Sequence, residues 1–304
     1  MSNSHDNPYA ILKPSAGNLL GITLVTFLIM LINVGFLQLG VDKLIGDFRS
    51  AFLVDSLLQS VLAFIFPVFL ATLLCCRRPM AYLGLDAGLK PSWTAGVIIL
   101  FFLMIPAMNF LVEWNADLTL PSSMSAIEEQ FREWEDSAAK TTSGILDDSS
   151  VWGLVSGIIV IGCITGFAEE ILFRGGIQRA LVKGGCNAHI AIWSTAFIFS
   201  LVHFQFFGFV PRLIFGATFG YLYYYTGSLW TAAFAHALNN SMVVIESWLL
   251  TNGFLTANID TLGTMSENQW WLALASCCIT LLFILVPGRY FFQSRNLHNS
   301  VIND

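Results

Sequence analysis

The chain is dominated by long apolar runs, poor in charge and separated by short polar breaks where Gly and Pro recur. A bilayer core needs about 20 apolar residues per helix. On that measure the runs predict eight spans, near residues 19–40, 51–75, 93–112, 151–168, 189–204, 209–225, 229–250 and 270–287. The predicted fold is all-α, a polytopic membrane helix bundle of about eight transmembrane helices. A polar leader, residues 1–18, precedes the first run. That run is longer than a signal-peptide core and has no small-residue cleavage site, so it is expected to stay attached.

Composition agrees with the pattern. Of 304 residues, 56% are apolar and 11% charged, with a mean hydropathy of +0.69, where soluble domains carry roughly a quarter charged residues. Disorder, collagen and coiled coil are excluded. With 14 Lys plus Arg against 20 Asp plus Glu, no nucleic-acid footprint exists either. With a cytoplasmic N-terminus, the inner segments hold Lys13, Arg77, Arg78, Lys90, Arg174, Arg179, Lys183, Arg289 and Arg295. The outer ones hold Lys43, Arg49, Arg132 and Lys140. The positive-inside bias therefore predicts both termini in the cytoplasm, in a plasma (inner) membrane. Cys75/Cys76 and Cys277/Cys278 are adjacent pairs in apolar runs and no CxxC spacing occurs, so the six cysteines read as small apolar side chains.

The segment from Glu113 to Ser150 is acidic and Ser-rich, and Ile127, Phe131 and Trp134 fall at i, i+4 and i+7. This predicts a short amphipathic helix, either capping the outer face of the bundle or lying solvated on its surface. No internal repeat or low-complexity tract is present. Residues 1–150 are thus read as three spans plus this loop, residues 151–250 as a core rich in polar intramembrane positions, and residues 251–304 as an outer loop, a last span and a tail.

Ionisable groups at membrane depth cost about 2.5 to 3.5 kcal/mol each on insertion scales, so those retained need a partner or a task. Glu170 precedes Arg174 by four residues, the order that suits an intrahelical ion pair. Glu169, turned about 100° away, has no such cation and would be an available base with a raised pKa if it faces the bundle. The competing reading puts both carboxylates in cytoplasmic water. Phe199 and His203 share a helical face, as do His236 and Asn240; each pair alone reads equally as helix-to-helix packing. Asp55 and Glu246 lie near outer ends and are assigned no chemistry, Arg212 is expected to anchor its span, His189 to be interfacial, and His5 and His298 to lie in tails.

Together, Glu169-Glu170-x-x-x-Arg174, Phe199-x-x-x-His203 and His236-x-x-x-Asn240 resemble the motifs of the CPBP family, the CAAX-prenyl-protease and bacteriocin-processing (Abi) proteins, regarded as intramembrane glutamic endopeptidases. The resemblance covers roughly residues 151–246 and makes 151–250 a catalytic core. It implies that Glu169 activates a water, that His203 orients it and moves the proton, and that His236 and Asn240 face the oxyanion. Glu170, Arg174 and Phe199 become accessory positions. No cofactor is implied. The partners are the bilayer and a protein or peptide substrate, possibly a prenylated CAAX protein, arriving laterally or from the cytoplasm.

Three readings stay open beside this one. Glu169, His203 and His236 could be zinc ligands, although HExxH is absent. The protein could also be a non-catalytic immunity or scaffold factor, or a proton-coupled carrier. Neither GxGD nor Gly-x-Ser-Gly occurs, which counts against aspartyl and serine mechanisms. The depths also conflict: with the span limits above, Glu169 lies near the inner face and His203 near the outer. Either the helix begun at Val151 runs on to about Lys183, or the fifth span starts later than His189 or tilts.

Overall fold

A computed structural model describes residues 7, 9–13, 15–256 and 259–285. The tail residues His5, His298, Arg289 and Arg295, and the far end of the eighth expected span, lie outside them. Among the described residues there is no strand, and the fold is a helical membrane bundle. Helix α1 (Ala16–Leu44) is capped by Ser15, which accepts from the Asn18 amide. Helix α2 (Phe48–Cys75) begins under an Asp47 cap and passes through a π-helical stretch, Gln59–Ile65, just before Pro67. Proline has no amide to donate, and a wider turn ahead of it absorbs the interruption.

Helix α3 (Pro91–Ala116) carries Pro106 at mid-span. The break is patched from a neighbour: Ser276 donates to the Leu103 carbonyl and accepts from the Ala107 amide. Inside a membrane only such protein partners can satisfy freed backbone groups. Helix α4 (Ser125–Leu146) is the amphipathic helix the spacing predicts, and at 22 residues it is longer than the stripe suggested. It caps the bundle. Phe131 stacks on Phe206, Trp134 meets Phe204 edge-on and the Arg132 guanidinium lies 4.0 Å over Phe207.

Helix α5 (Val151–Lys183) is one unbroken element of 33 residues. The expected stop at Ala168 is therefore corrected: the helix continues because Ile171–Gln178 is wholly buried among its neighbours and needs no contact with water. Helix α6 (Ala188–Leu201) is short, 14 residues under an Asn187 cap. At 1.5 Å per residue it covers about 21 Å, less than the roughly 30 Å of a hydrocarbon core. His203, just past its end, therefore stops inside the bundle, and Glu169 lies a similar distance from the end of α5. The depth conflict disappears.

Helices α7 (Phe209–Thr226), α8 (Leu229–Thr251) and α9 (Trp270–Leu285) complete the bundle. Helices α1, α2, α3 and α5 are long and apolar enough to cross a membrane. Many large apolar side chains on their outer faces, Leu28, Ile32, Phe36 and Phe102 among them, are exposed, as lipid contact requires.

What brings α5 against α8 is a stripe of glycines. A Cβ on Gly157 would meet Val244, one on Gly162 would collide with Ser241, and one on Gly166 would sit 3.2 Å from the Ala237 amide nitrogen. The first step of five residues runs into the π-helical stretch Ile158–Thr165, whose wider turn keeps both glycines on one face. Small residues at such a seam let helix backbones approach closely. Gly166→Leu is expected to push α8 away, costing about 1–3 kcal/mol of stability. A lowered unfolding temperature in detergent, measured beside a lipid-facing Ile159→Leu control, checks this.

Candidate active site

Four carboxylate and imidazole side chains, Glu169, Glu170, His203 and His236, converge where α5, α6 and α8 meet. Glu170 and Arg174 are both fully buried, and Glu170 Oε1 accepts from Arg174 Nη1 at 2.7 Å. The guanidinium is held further by Nη2 donating to the Gly216 carbonyl of α7, also at 2.7 Å, and by the ring of Phe199, whose centroid is 5.0 Å away. The ion pair is therefore not the solvated cytoplasmic one of the competing reading. It lies in the core.

The same Glu170 oxygen accepts a second hydrogen bond, from His236 Nδ1 at 2.8 Å. A carboxylate can only accept, so Nδ1 carries a proton and a neutral His236 has its lone pair on Nε2. Nε2 lies 3.6 Å from Glu169 Oε2. Phe219 stacks on the imidazole with ring centroids 4.8 Å apart, and His236 is only 4% exposed, so its orientation is fixed. Glu169, with a side chain 13% exposed, keeps its opening to a cavity.

His203 is pinned in the same manner. Its Nδ1 donates to the Phe199 carbonyl at 2.7 Å, leaving Nε2 as the acceptor of the neutral ring. Phe199 packs edge-on between the two imidazoles, 5.0 Å from His203 and 5.8 Å from His236. Asn240, one turn beyond His236, donates to the Ile161 carbonyl at 3.2 Å and accepts from Asn239.

Glu169, His203, His236 and Asn240 all line one cavity of about 490 Å³, floored by Phe199 and Phe219 and walled on the α3 side by Phe101, Met104 and Met108. The structure thus gathers every residue singled out by the three motifs. Among the described residues no group of three or more His, Cys, Asp or Glu side chains is placed to hold a metal ion.

Two corrections follow. Arg212 is not a span anchor at the interface. It lines the cavity, its Nη2 donates to Gln205 Oε1 at 2.7 Å and its buried Nη1 has no hydrogen-bond partner among the described residues. Gln205 in turn reaches Glu135 on α4, whose carboxyl burial raises while Arg212 pulls it back down. Glu246, set aside as interfacial, lines the cavity's mouth and accepts from the Ile259 amide at 2.8 Å. Arg212 and Glu246 stand alone in their apolar runs, which was the signal available for them. His189 does bond outward at the start of α6, to the Tyr221 hydroxyl.

Removing one partner of a buried ion pair costs about 3–5 kcal/mol. Arg174→Met is therefore expected to unfold the protein at markedly lower temperature in detergent. Arg174→Lys is expected to recover only part of the loss, because one ammonium cannot reproduce the forked reach to Glu170 and Gly216. Thermal unfolding followed by circular dichroism measures both.

A comparison with known protein families falls on this same region. Residues 151–242 match the family model described as type II CAAX prenyl endopeptidase Rce1-like. The chain is also similar to the uncharacterized protein YpbD of Bacillus subtilis (strain 168), 31% identical over 93 residues, which are 29% of this chain and 44% of YpbD. The chain thus spans under half the length of the curated relative it matches. No solved structure matches. The matched segment 151–242 supplies Glu169, Glu170, Arg174, His203, His236 and Asn240, and is similar to the Rce1-like family.

Proposed function

We propose that the protein is an intramembrane endopeptidase that hydrolyses a peptide bond of a membrane-associated protein or peptide through a water activated by Glu169. The observation that carries this reading is the placement of Glu169 against His236 Nε2 in the cavity that His203 also lines. Both imidazoles have Nδ1 committed, to Glu170 and to the Phe199 carbonyl, so each offers Nε2 to a water or a substrate.

Glu169 takes a proton from the water, and the oxygen adds to the scissile carbonyl carbon. The proton passes from Glu169 to His236 Nε2, where the Glu170 carboxylate stabilises the imidazolium. The Nε2–H, now a donor, faces the oxyanion, and the Asn240 amide joins it by exchanging the Ile161 carbonyl for the substrate. The carbon–nitrogen bond then breaks and the leaving amine takes the proton, restoring neutral His236. Each donor aimed at a developing oxyanion typically contributes about 3 to 4 kcal/mol. His203 Nε2 accepts from the attacking water and sets its direction.

A prenylated CAAX-type substrate is one member of the class proposed; the apolar wall of Phe101, Met104 and Met108 supports a substrate with an apolar part. The test is Glu169→Gln, which keeps the shape of the side chain and removes the base. Cleavage is expected to fall by about 10²–10⁴-fold, with the unfolding temperature held within a few degrees. Mass spectrometry of membrane peptides from wild-type and Glu169→Ala cells identifies the substrate, as a full-length species that accumulates only in the variant. Identical peptide sets, together with proton-linked flux in reconstituted vesicles, would instead establish a carrier.

A further inference from the structure

We infer that Arg212 is a substrate-binding residue: its guanidinium takes a carboxylate of the peptide near the scissile bond, supplied by a chain terminus or by an Asp or Glu side chain. The inference rests on the endopeptidase reading for its substrate and on the cavity alone for its geometry. Arg212 stands in the first turn of α7, beside Gly208 and Pro211, on the wall of the cavity that also holds Glu169, His203 and His236. Among the described residues it is the one Lys or Arg that lines this cavity.

Arg174 and Arg212 are answered differently. Arg174 has Glu170 in ion-pair contact at 2.7 Å and the Gly216 carbonyl on its other arm. Arg212 has a neutral acceptor, Gln205 Oε1, on Nη2, and among the described residues Nη1 has no hydrogen-bond partner and no carboxylate is in ion-pair contact with the guanidinium. Glu135, the carboxylate whose charge it feels most, turns Oε1 to the Gln205 amide instead, and burial raises that carboxyl toward its neutral form. Glu169, whose charge it feels next, is the group the mechanism needs for the water. A cation kept in a low-dielectric wall normally has its counter-charge beside it. A carboxylate brought by the substrate supplies one and gives Nη1 the acceptor it lacks.

The wall is shaped for this contact. Gly208 also lines the cavity, and a Cβ there would stand 3.2 Å from Nη2 and 3.7 Å from Nη1, crowding the guanidinium. Gln205 fixes one arm of the fork, and a planar guanidinium matches the two oxygens of a carboxylate in a way that an ammonium does not. The acidic groups at the mouth leave this preference in place. Glu246 is committed to the Ile259 amide, and burial raises the Asp260 carboxyl toward its neutral form. Both belong to α8 and the segment after it, whereas Arg212 belongs to α7, so the polarity of the cavity turns the carboxylate of a bound peptide toward α7.

Binding is read in the full chain carrying Glu169→Gln, so that no peptide is consumed. The probes are fluorescent, octanoylated tetrapeptide pools of the same apolar composition: one ends in a free carboxylate, one in an amide, and a third is amidated but bears a single Glu. Fluorescence anisotropy is expected to show the free-acid pool or the Glu pool bound at least about tenfold more tightly than the plain amide pool. Which of the two gains identifies the source of the carboxylate. Adding Arg212→Gln is expected to bring that pool down to the affinity of the amide pool, whose own binding stays unchanged and so reports an intact fold. Arg212→Lys is expected to keep part of the margin. Equal affinities for the three pools, or a margin that survives Arg212→Gln, would overturn the inference.

The same pools, given to the protein with Glu169 in place, separate this inference from the endopeptidase reading. Cleavage is expected to follow the order of binding, with Arg212→Gln raising KM for the carboxylate-bearing pool alone. A fall in kcat for every pool would make Arg212 a partner of the oxyanion and defeat the carboxylate subsite. The expected margin in binding without cleavage of any pool would sink the endopeptidase reading and leave the subsite standing, whereas cleavage with equal affinities would do the reverse.

Discussion

A guanidinium with no exposure to solvent sits at the centre of the bundle, and the position of every group around the cavity depends on how Arg174 is neutralised. A lone cation there would carry a penalty of several kcal/mol even after relaxation. Glu170 answers its charge, the Gly216 carbonyl takes a second donor, and Phe199 and Phe219 offer ring faces at 5.0 and 5.5 Å. Those contacts reach from α5 to α6 and α7. Because Glu170 Oε1 also holds His236, α8 is registered to the same point. The pair therefore works as a keystone for orientation: with Glu170 spent on Arg174 and His236, its neighbour Glu169 is the carboxylate left facing the cavity.

Convergence of the helices has a steric cause as well as an electrostatic one. The glycine stripe on α5 lets the α8 backbone come near enough for Glu169 and Glu170 to reach opposite edges of a single imidazole. The shortness of α6 does the rest. A helix of full membrane length would carry His203 past the site to the interface, whereas 14 residues end it beside Phe199 and under the cap of α4. The polar backbone of the α6–α7 turn, exposed by that early stop, is taken up by Asn115, which donates to the Phe206 carbonyl and accepts from the Val210 amide. A bilayer tolerates irregular backbone only where protein satisfies it in this way.

The site is polarised along its depth. Its inner part is a chain of ionisable side chains, Glu169, His236, Glu170 and Arg174, joined in that order by contacts of 3.6, 2.8 and 2.7 Å. Its outer part is bounded by Arg212, tethered to α4 through Gln205 and Glu135, and by the Glu246 rim. Helix α4 is thus more than a cover. It touches the cavity wall through a hydrogen-bonded chain.

Much of this was legible in the chain itself. Apolar runs of bilayer length fixed the class of fold, since no other solvent accommodates them, and ionisable residues inside those runs marked the chemistry, since each must be compensated. The i, i+4 spacing disclosed the Glu170–Arg174 pair and the shared face of His236 and Asn240, because a helix makes such neighbours whatever surrounds it. The same local geometry could not say that Glu170 also binds His236, 66 residues away, or that Arg212 and Glu246 turn inward. Nor could it say that α5 runs 33 residues without a break while α6 stops after 14. Hydropathy measures how a segment partitions between water and lipid. Where a helix ends inside a bundle, and which neighbour receives its polar groups, is decided by packing across helices distant in sequence, and only the tertiary structure holds that.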